Sequence, residues 1–302
     1  MFGFLVSRML PVVPKSVVRK VAKRYVAGED LAAAVSTVKA LNARGWEATL
    51  DILGEDARDD AAADGTVAGY VRVLDTIAAE GLESNISVKL THLGMRLDPA
   101  RAEERLAGIV SHAAGLGGFV CMDMEDSSLT DATLAMHARM RERFGRHVGT
   151  VLQAYLRRTR DDAASLAAAG ANLRICKGIY REPRAIAFKR REEIRASFLA
   201  SVESMLRAPG AYVGVATHDR KLVARVLDLA ARLGAPPDRF EFQALLGVPV
   251  EDMLEDLAKR GHRVRIYVPF GEEWYPYSTR RLKENPKLAT YVVRQMLGMG
   301  AG

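Results

Sequence analysis

Two adjacent arginines, Arg280 and Arg281, stand near the end of the sequence in the segment YSTRRLKENP (277–286). If this segment is a helix, both arginines share one face with Tyr277 and Glu284, because the spacing is i, i+3, i+4, i+7. Two guanidinium groups on one face can hold a carboxylate through directed, often bidentate, hydrogen bonds. The alternative is a solvent-exposed stripe of mixed charge, which is common on helices.

Short apolar runs alternate with alanine-rich helical segments along most of the chain. Eight strand–helix units in succession predict an α/β fold of the (β/α)8 barrel type. A doubly wound open sheet is the main alternative, but no GxGxxG turn follows the first strand. We expect an N-terminal helical arm over residues 1–45 and the barrel, with a C-terminal helix, over 46–302. The predicted strands are 47–53, 86–90, 118–124, 150–155, 172–178, 212–217, 240–245 and 264–269.

Nearly every predicted strand finishes with polar or ionisable side chains. Such groups are costly to bury among apolar neighbours unless they are paired. The carboxyl ends of the strands of a barrel converge on one mouth, where active sites lie. The sequence therefore predicts a polar site at this mouth. Its candidate residues are Glu55, Lys89, Asp123, Glu125, Gln153, Arg174, Lys177, Thr217, His218, Asp219, Gln243 and Tyr267.

The predicted mouth is rich in cations, and no metal is expected in it. His218 and Asp219 are adjacent and His92 is distant in sequence, so His218 is interpreted as a hydrogen-bonding group rather than a ligand. There is no Ser-His-Asp signature, and Schiff-base chemistry would need a desolvated Lys89 or Lys177, which the sequence does not establish. These residue types suit an anionic or extended polar ligand and suggest that a cofactor supplies the chemistry.

Length, composition and charge narrow the class of protein. The 302 residues suffice for one large barrel, and 49% hydrophobic with 27% charged residues is ordinary for a folded soluble protein. The net charge of +7 permits acidic partners, but no RNA-binding signature or zinc-finger spacing indicates nucleic acid. Cys121 and Cys176, 55 positions apart in apolar runs, form neither a disulfide framework nor a metal spacing. This cysteine usage suits a reducing cytoplasm.

The first 28 residues contain six Lys or Arg and no acid. Arg8, Pro11 and Pro14 interrupt their apolar run, which fits neither a signal peptide nor a membrane span. Two interpretations stay open. One is an amphipathic arm in peripheral contact with anionic lipid at the inner face of the cell membrane. The other is a helix packed on the body of the protein.

From about Val26 to Asn285 the chain resembles the family of bacterial proline dehydrogenases in their single-function form. The motifs that carry this resemblance are DILGE, ISVKL, MDMED, VLQAYLRRT, LRICKGIY, ATHD, FEFQALLG, RIYVPFG and WYPYSTRRLKEN, in this order. The resemblance implies an FAD-dependent barrel that oxidises L-proline to Δ1-pyrroline-5-carboxylate by hydride transfer to flavin N5, the first step of proline catabolism to glutamate. It also implies a quinone as electron acceptor and a separate pyrroline-5-carboxylate dehydrogenase that receives the product.

The resemblance assigns roles at the substrate pocket. Arg280, Arg281 and Lys89 match a clamp for the proline carboxylate. Lys89 also joins Arg174 and Asp123 in the implied catalytic set. Glu55 matches a glutamate that pairs with Arg280 across the mouth and closes it. The residues that match the wall around the proline ring are Tyr180, Leu245, Tyr267 and Tyr277.

The resemblance also assigns the cofactor site. It places Arg174 near flavin N5, where a cation favours the anionic reduced flavin. Cys176 stands where many members have Val, and Arg181 where longer members have Trp; we interpret Cys176 as a small hydrophobe, with an oxidisable thiol as the alternative. The further residues implied to bind FAD are Asp123, Gln153, Cys176, Lys177, Gly178, Lys189, Arg191, Thr217, His218, Gln243 and Glu284.

Two other classes of function are compatible with a basic barrel mouth. A folate-reducing flavin barrel would share the fold but would use NADH and would not need paired arginines. A non-catalytic protein that binds acidic ligands would share the charge but hold no FAD. A yellow protein that L-proline bleaches would separate the three.

Overall fold

The computed structural model describes residues 24–275 and 277–279, together with Arg19 and Ala22. All eight predicted strands form, and they pair in parallel in chain order, with the first strand also paired to the last. The (β/α)8 prediction is therefore confirmed. The strands are β1 Glu47–Ile52, β2 Ser84–Val88, β3 Val120–Met122, β4 Val148–Gln153, β5 Asn172–Cys176, β6 Tyr212–Ala216, β7 Phe240–Leu245 and β8 Arg263–Phe270.

Helices follow the strands and cover the outside of the barrel. Aspartates at their N-caps explain several of their starting points: Asp30, Asp59 and Asp219 each accept a hydrogen bond from a backbone N–H three residues further on. The helices are α1 Leu31–Asn42, α2 Asp60–Ala79, α3 Pro99–Gly115, α4 Thr130–Phe144, α5 Thr159–Ala168, α6 Arg191–Arg207, α7 Arg220–Leu233 and α8 Glu251–Lys259.

Helix α1 precedes the barrel and packs against β1 and β8. Its buried residues Ala34, Val38 and Leu41 recur at helical spacing and belong to the same hydrophobic cluster as the strands. The division of the chain at residue 45 stays a prediction. Within the described ranges, no helix is both long and apolar enough to cross a membrane.

Polar side chains of different strands bond to one another inside the barrel. Arg174 on β5 reaches Ser87 on β2, and Arg265 on β8 reaches Glu241 on β7 and Glu47 on β1. Side chains of β2 and β5 can meet only inside the closed barrel, so its interior is polar near both ends. The strands thereby bring residues far apart in sequence into one site.

Candidate active site

Asp123, directly after β3, is the centre of a hydrogen-bond network at the mouth. Its Oδ1 accepts from Arg174 Nη1 at 2.8 Å and from Ser87 Oγ at 2.7 Å, and its Oδ2 accepts from the Tyr267 hydroxyl at 2.7 Å. The guanidinium of Arg174 also lies over the Tyr267 ring, 5.1 Å from its centroid. The structure thus brings together Asp123, Arg174 and Tyr267, as the sequence predicted for the mouth.

Lys89, the first residue after β2, is held by two carboxylates. Its Nζ donates to both oxygens of Asp51, at 2.8 and 2.9 Å, and lies 3.7 Å from Asp123 Oδ2. Burial alone would lower the pKa of Lys89, but the charges of Asp51 and Asp123 outweigh it and raise the pKa. Lys89 is therefore charged, and with Arg174 it forms a compact cluster of two cations and two carboxylates.

Asp51, Ser87 and Tyr70 complete this cluster, although no pattern in the sequence predicted them. Asp51 is 1% exposed, and the Tyr70 hydroxyl donates to the Ser87 carbonyl oxygen at 2.8 Å. One signal was present in the sequence: Asp51 is a charged residue between the apolar Leu50 and Ile52 of a predicted strand, and a charge buried there requires a partner. That partner is Lys89, at the end of the adjacent strand.

A second cationic group lies beside the start of helix α7. Lys177 Nζ donates to Asp219 Oδ2 at 2.6 Å, and Arg195 Nε donates to the same oxygen at 2.8 Å. Burial would raise the pKa of Asp219, but these hydrogen bonds lower it to about 2. Glu192 also pairs with Arg195 and, at 3.5 Å, with Arg225, so that three cations and two carboxylates leave a net positive charge. Such a charge suits an anionic group of a ligand, such as a diphosphate.

Gln153, the last residue of β4, has an unused acceptor. Its Nε2 donates to the backbone oxygens of Glu125, at 2.6 Å, and Met124, at 3.3 Å, and this determines the orientation of the amide. The buried Oε1 has no hydrogen-bond partner among the residues that the structure describes. A buried acceptor of this kind suits an N–H donor of a ligand, such as that on the pyrimidine side of a flavin.

The loop after β5 carries Gly178 and Tyr180. Gly178 has φ +97°, and a Cβ there would lie 2.1 Å from the Tyr155 ring, so that only glycine fits. Burial, together with the charges of Glu55 and Glu125, raises the pKa of Tyr180. The phenol of Tyr180 is thus neutral and half-buried at the mouth.

Cys176, at the end of β5, is half-buried. Burial raises the pKa of its thiol to about 11, so the thiolate that oxidation requires is scarce at neutral pH. This supports the interpretation of Cys176 as a small hydrophobe.

Histidines at the mouth have structural contacts. His218 Nε2 accepts from the backbone N–H of Leu245 at 3.0 Å. The ring of His92 packs against Gly54, and burial together with the charge of Lys89 lowers its pKa to about 4. In the part of the chain that the structure describes, no group of three or more His, Cys, Asp or Glu side chains could hold a metal ion.

The remaining predicted residues are placed less centrally or lie outside the described chain. Lys189 donates to the backbone oxygen of Glu182, Thr217 is buried, and both polar atoms of the Gln243 amide have protein partners. Arg191 is exposed at the start of α6, Tyr277 is buried and Leu245 is half-buried. The residues outside the described ranges are Arg280, Arg281 and Glu284, so that the predicted Glu55–Arg280 pair stays a prediction.

Solved structures support the barrel architecture. The barrel superposes on proline utilization A (PutA) from Bdellovibrio bacteriovorus with a TM-score of 0.83 at 23% identity, covering 94% of this chain and 34% of that one. This chain thus corresponds to about a third of the PutA protein. At this identity the likeness concerns the fold.

Sequence comparisons show the family. The family model described as proline dehydrogenase matches residues 34–294. The chain is 37% identical over 280 residues to "Proline dehydrogenase" of Deinococcus radiodurans, covering 91% of this chain and 90% of that protein. It is 38% identical over 276 residues to "Proline dehydrogenase 1" of Bacillus subtilis (strain 168), with the same coverage of 91% and 90%. The chain belongs to the proline dehydrogenase family and is an oxidoreductase.

Proposed function

We propose that this protein oxidises L-proline to Δ1-pyrroline-5-carboxylate with FAD as its cofactor and a quinone as electron acceptor, the first step of proline breakdown to glutamate. The observation that carries the proposal is the cluster of Lys89, Arg174, Asp51 and Asp123 at the barrel mouth, in a chain that belongs to the proline dehydrogenase family. Such a cluster offers two fixed cations in a largely buried site.

The residues of the mouth suit FAD. When bound, FAD supplies the hydride acceptor that the protein side chains lack. Arg174 brings a permanent positive charge that would stabilise negative charge on the ring system. Gln153 Oε1 offers an acceptor for an N–H group, and the cations Lys177 and Arg195 suit the diphosphate. The other residues proposed to line the cofactor site are Asp123, Cys176, Gly178, Lys189, Arg191, Thr217, His218, Gln243 and Glu284.

The substrate site combines Lys89 with Arg280 and Arg281, which we propose to bind the proline carboxylate. Lys89 is positively charged throughout the physiological pH range, and its ammonium group has three donors, so that Asp51 does not exhaust it. Tyr267 is held by its hydrogen bond to Asp123, and we propose its ring as one wall of the pocket. We propose that Tyr180, Leu245 and Tyr277 form the rest of that wall, and that it excludes water and fixes the substrate for reaction.

The partners proposed beyond the substrate follow from the family resemblance. The product would pass to a separate pyrroline-5-carboxylate dehydrogenase. Quinones reside in membranes, and the first 28 residues, with six Lys or Arg and no acid, suit peripheral contact with anionic lipid.

The spectrum of the purified protein tests this function. We expect a yellow protein whose flavin absorbance is bleached by L-proline without oxygen and is restored by a soluble quinone. A protein that takes up no FAD would refute the proposal. Bleaching by NADH but not by L-proline would indicate the folate-reducing class.

The carboxylate clamp is tested by Arg281→Met, with Arg260→Met as a matched control. We expect Arg281→Met to raise the KM for proline steeply, because the loss of a charge-assisted bond costs on the order of 2–4 kcal/mol, while FAD content stays near that of the parent. Arg260 is an exposed arginine paired with Asp256 at 3.5 Å, and its replacement should leave KM unchanged. An unaltered KM in Arg281→Met would show that the segment is a solvated stripe.

A further inference from the structure

Glu241 is a buried carboxylate on β7 to which the proposed reaction gives no role. It is 2% exposed. Its oxygens accept from Arg265 Nε at 2.7 Å and Nη2 at 3.0 Å, from the Tyr212 hydroxyl at 2.9 Å and from Gln243 Nε2 at 2.5 Å. Burial would raise the pKa of Glu241, but the charge and hydrogen bonds of Arg265 outweigh burial and lower it. Glu241 is therefore an ionised acceptor inside the barrel.

Gln243 connects this carboxylate to Arg174. Its Nε2 donates to Glu241, and its Oε1 accepts from Arg174 Nε at 2.7 Å. A carboxylate only accepts hydrogen bonds and a guanidinium only donates them, so the amide can satisfy both neighbours in one orientation alone. Glu241 thereby determines which end of the Gln243 amide faces Arg174.

Gly214 on β6 provides the space that this amide occupies. A Cβ at position 214 would lie 2.4 Å from Gln243 Nε2, closer than real Cβ atoms approach other heavy atoms. The amide is thus enclosed by three consecutive strands, with Arg174 on β5, Gly214 on β6 and Glu241 on β7. Its position depends on the absence of a side chain at Gly214.

Hydrogen bonds at two different nitrogens hold the guanidinium of Arg174. Gln243 binds Nε, whereas Asp123 at 2.8 Å and Ser87 Oγ at 3.1 Å both bind Nη1. Because the guanidinium is planar and rigid, bonds at two nitrogens define its plane, whereas bonds at Nη1 alone would let it turn. Asp123 is at the mouth and Glu241 acts from inside the barrel, so that Arg174 is held from both sides.

We propose that Glu241 is a positioning residue for the oxidoreductase reaction, which acts through Gln243 to orient Arg174 toward the flavin. This inference rests on the proposed function, because it takes FAD as the group beside Arg174. A cation held in a fixed orientation stabilises developing charge better than one that must reorganise. Glu241 keeps the Arg174 guanidinium in this fixed orientation without needing contact with flavin or proline.

Glu241→Gln tests the proposal, with sulfite as a probe. An amide at position 241 can donate hydrogen bonds as well as accept them. The Gln243 amide can therefore turn its own N–H groups toward Arg174 and lose its hydrogen bond with Arg174 Nε. Sulfite adds to flavin N5 and leaves negative charge on the ring, so its affinity reports on Arg174 in the absence of substrate. We expect parent-like FAD content, but sulfite binding weaker by about tenfold, equivalent to roughly 1.4 kcal/mol, and slower flavin reduction with little change in KM.

Two further variants separate positioning from stability. Gly214→Ala keeps Glu241 but displaces the Gln243 amide, so it should also weaken sulfite binding. If Glu241→Gln prevents folding, Gly214→Ala tests the proposal in its place. Glu47→Gln is the matched control, because Glu47 also pairs with Arg265 but forms no hydrogen bond with Gln243 in the described structure. Its sulfite affinity should equal that of the parent.

The outcomes distinguish this inference from the proposed function. Parent-like sulfite affinity in Glu241→Gln and Gly214→Ala would overturn the inference alone. An equal weakening in Glu47→Gln would overturn it too, since the effect would then be a general loss of order in the barrel. A parent protein that takes up no flavin would overturn the proposed function and this inference with it.

Discussion

Lys89 is proposed to have two roles, in substrate binding and in stability, which substitutions at Lys89 and Asp51 can separate. Lys89 is proposed to meet the substrate carboxylate, and it also neutralises Asp51, which is 1% exposed. Removing one partner of a buried ion pair leaves an uncompensated charge, whereas removing both is far less costly. Stability and substrate binding should therefore respond differently to single and double substitution.

We expect Lys89→Met to lower the free energy of unfolding by roughly 3–5 kcal/mol, because Asp51 is left without its partner. Adding Asp51→Asn should recover most of this stability while proline binding stays weak. Urea unfolding and the KM for proline measure the two effects. Recovery of normal KM in the double variant would show that Lys89 serves the fold and not the substrate.

At the scale of elements, the loop after β1 is anchored where it carries Glu55. The backbone N–H of Asp56 donates to Thr91 Oγ1 at 3.2 Å, and that of Ala57 donates to the Thr91 carbonyl oxygen at 2.9 Å. Thr91 is bound in turn to the buried Glu125 carboxylate, with its N–H 3.0 Å from Oε2. Glu55 is thus presented at the rim of the mouth by a well-supported loop.

We expect Glu55→Gln to weaken proline binding or to slow flavin reduction, with little change in Tm. Ion pairs at a protein surface contribute only about 0–1 kcal/mol to stability. The predicted Glu55–Arg280 pair is therefore better explained as a contact that closes the site over bound proline. Asp56→Asn is the matched control, since it removes one charge from the same loop and Asp56 pairs with Arg96 at 2.9 Å. A large loss of Tm with unchanged reduction kinetics in Glu55→Gln would assign Glu55 to the fold.

Two glycines on either side of β5 allow the role of the loop after this strand to be tested. Gly178 and Gly170 both have positive φ, +97° and +68°. A Cβ at Gly178 would meet the Tyr155 ring at 2.1 Å, whereas the nearest atom to one at Gly170 is at 3.5 Å. The two sites thus share the backbone penalty for alanine and differ in the clash.

We expect Gly170→Ala to cost about 1 kcal/mol of stability and to retain FAD. Gly178→Ala should cost more and lose FAD, because either the loop or Tyr155 must move beside the proposed cofactor site. Flavin content after gel filtration, with urea unfolding, measures both. Equal flavin content in the two variants would show that this loop does not hold the cofactor.

At the scale of the whole molecule, the repeating patterns of the sequence predicted the fold and part of the candidate site. Strand–helix alternation predicted the eight strands, and polar strand ends predicted Lys89, Asp123, Arg174 and Tyr267 at one mouth. Asp51 and Glu241 were not predicted as site residues, because barrel closure and strand register determine which side chains become hydrogen-bond partners of residues within the strands. Glu47, for example, is paired with Arg265, which is 218 positions away, because β1 and β8 are adjacent. The spacing of residues along the sequence does not indicate such a contact.

Burial of histidine links folding to pH. His137 on α4 is fully buried, and neither ring nitrogen has a hydrogen-bond partner among the described residues. Burial, with the charge of Arg141, lowers its pKa from 6.5 to about 4. Burial and Lys89, opposed by Glu55, do the same for His92. Between these two pH values the unfolded chain binds more protons than the folded one, so stability falls as the pH is lowered.

We expect His137→Leu to make the stability of the protein less dependent on pH. One histidine contributes a slope of about 1.4 kcal/mol per pH unit between its two pKa values, and the variant should lose that slope. Urea unfolding of both proteins at about pH 7 and about pH 5 measures it. Burial raises the pKa of Asp51, Glu47 and Glu125, which opposes the effect, but these groups are common to both proteins. The difference between the proteins therefore reports on His137, and equal slopes would show that folding does not lower its pKa.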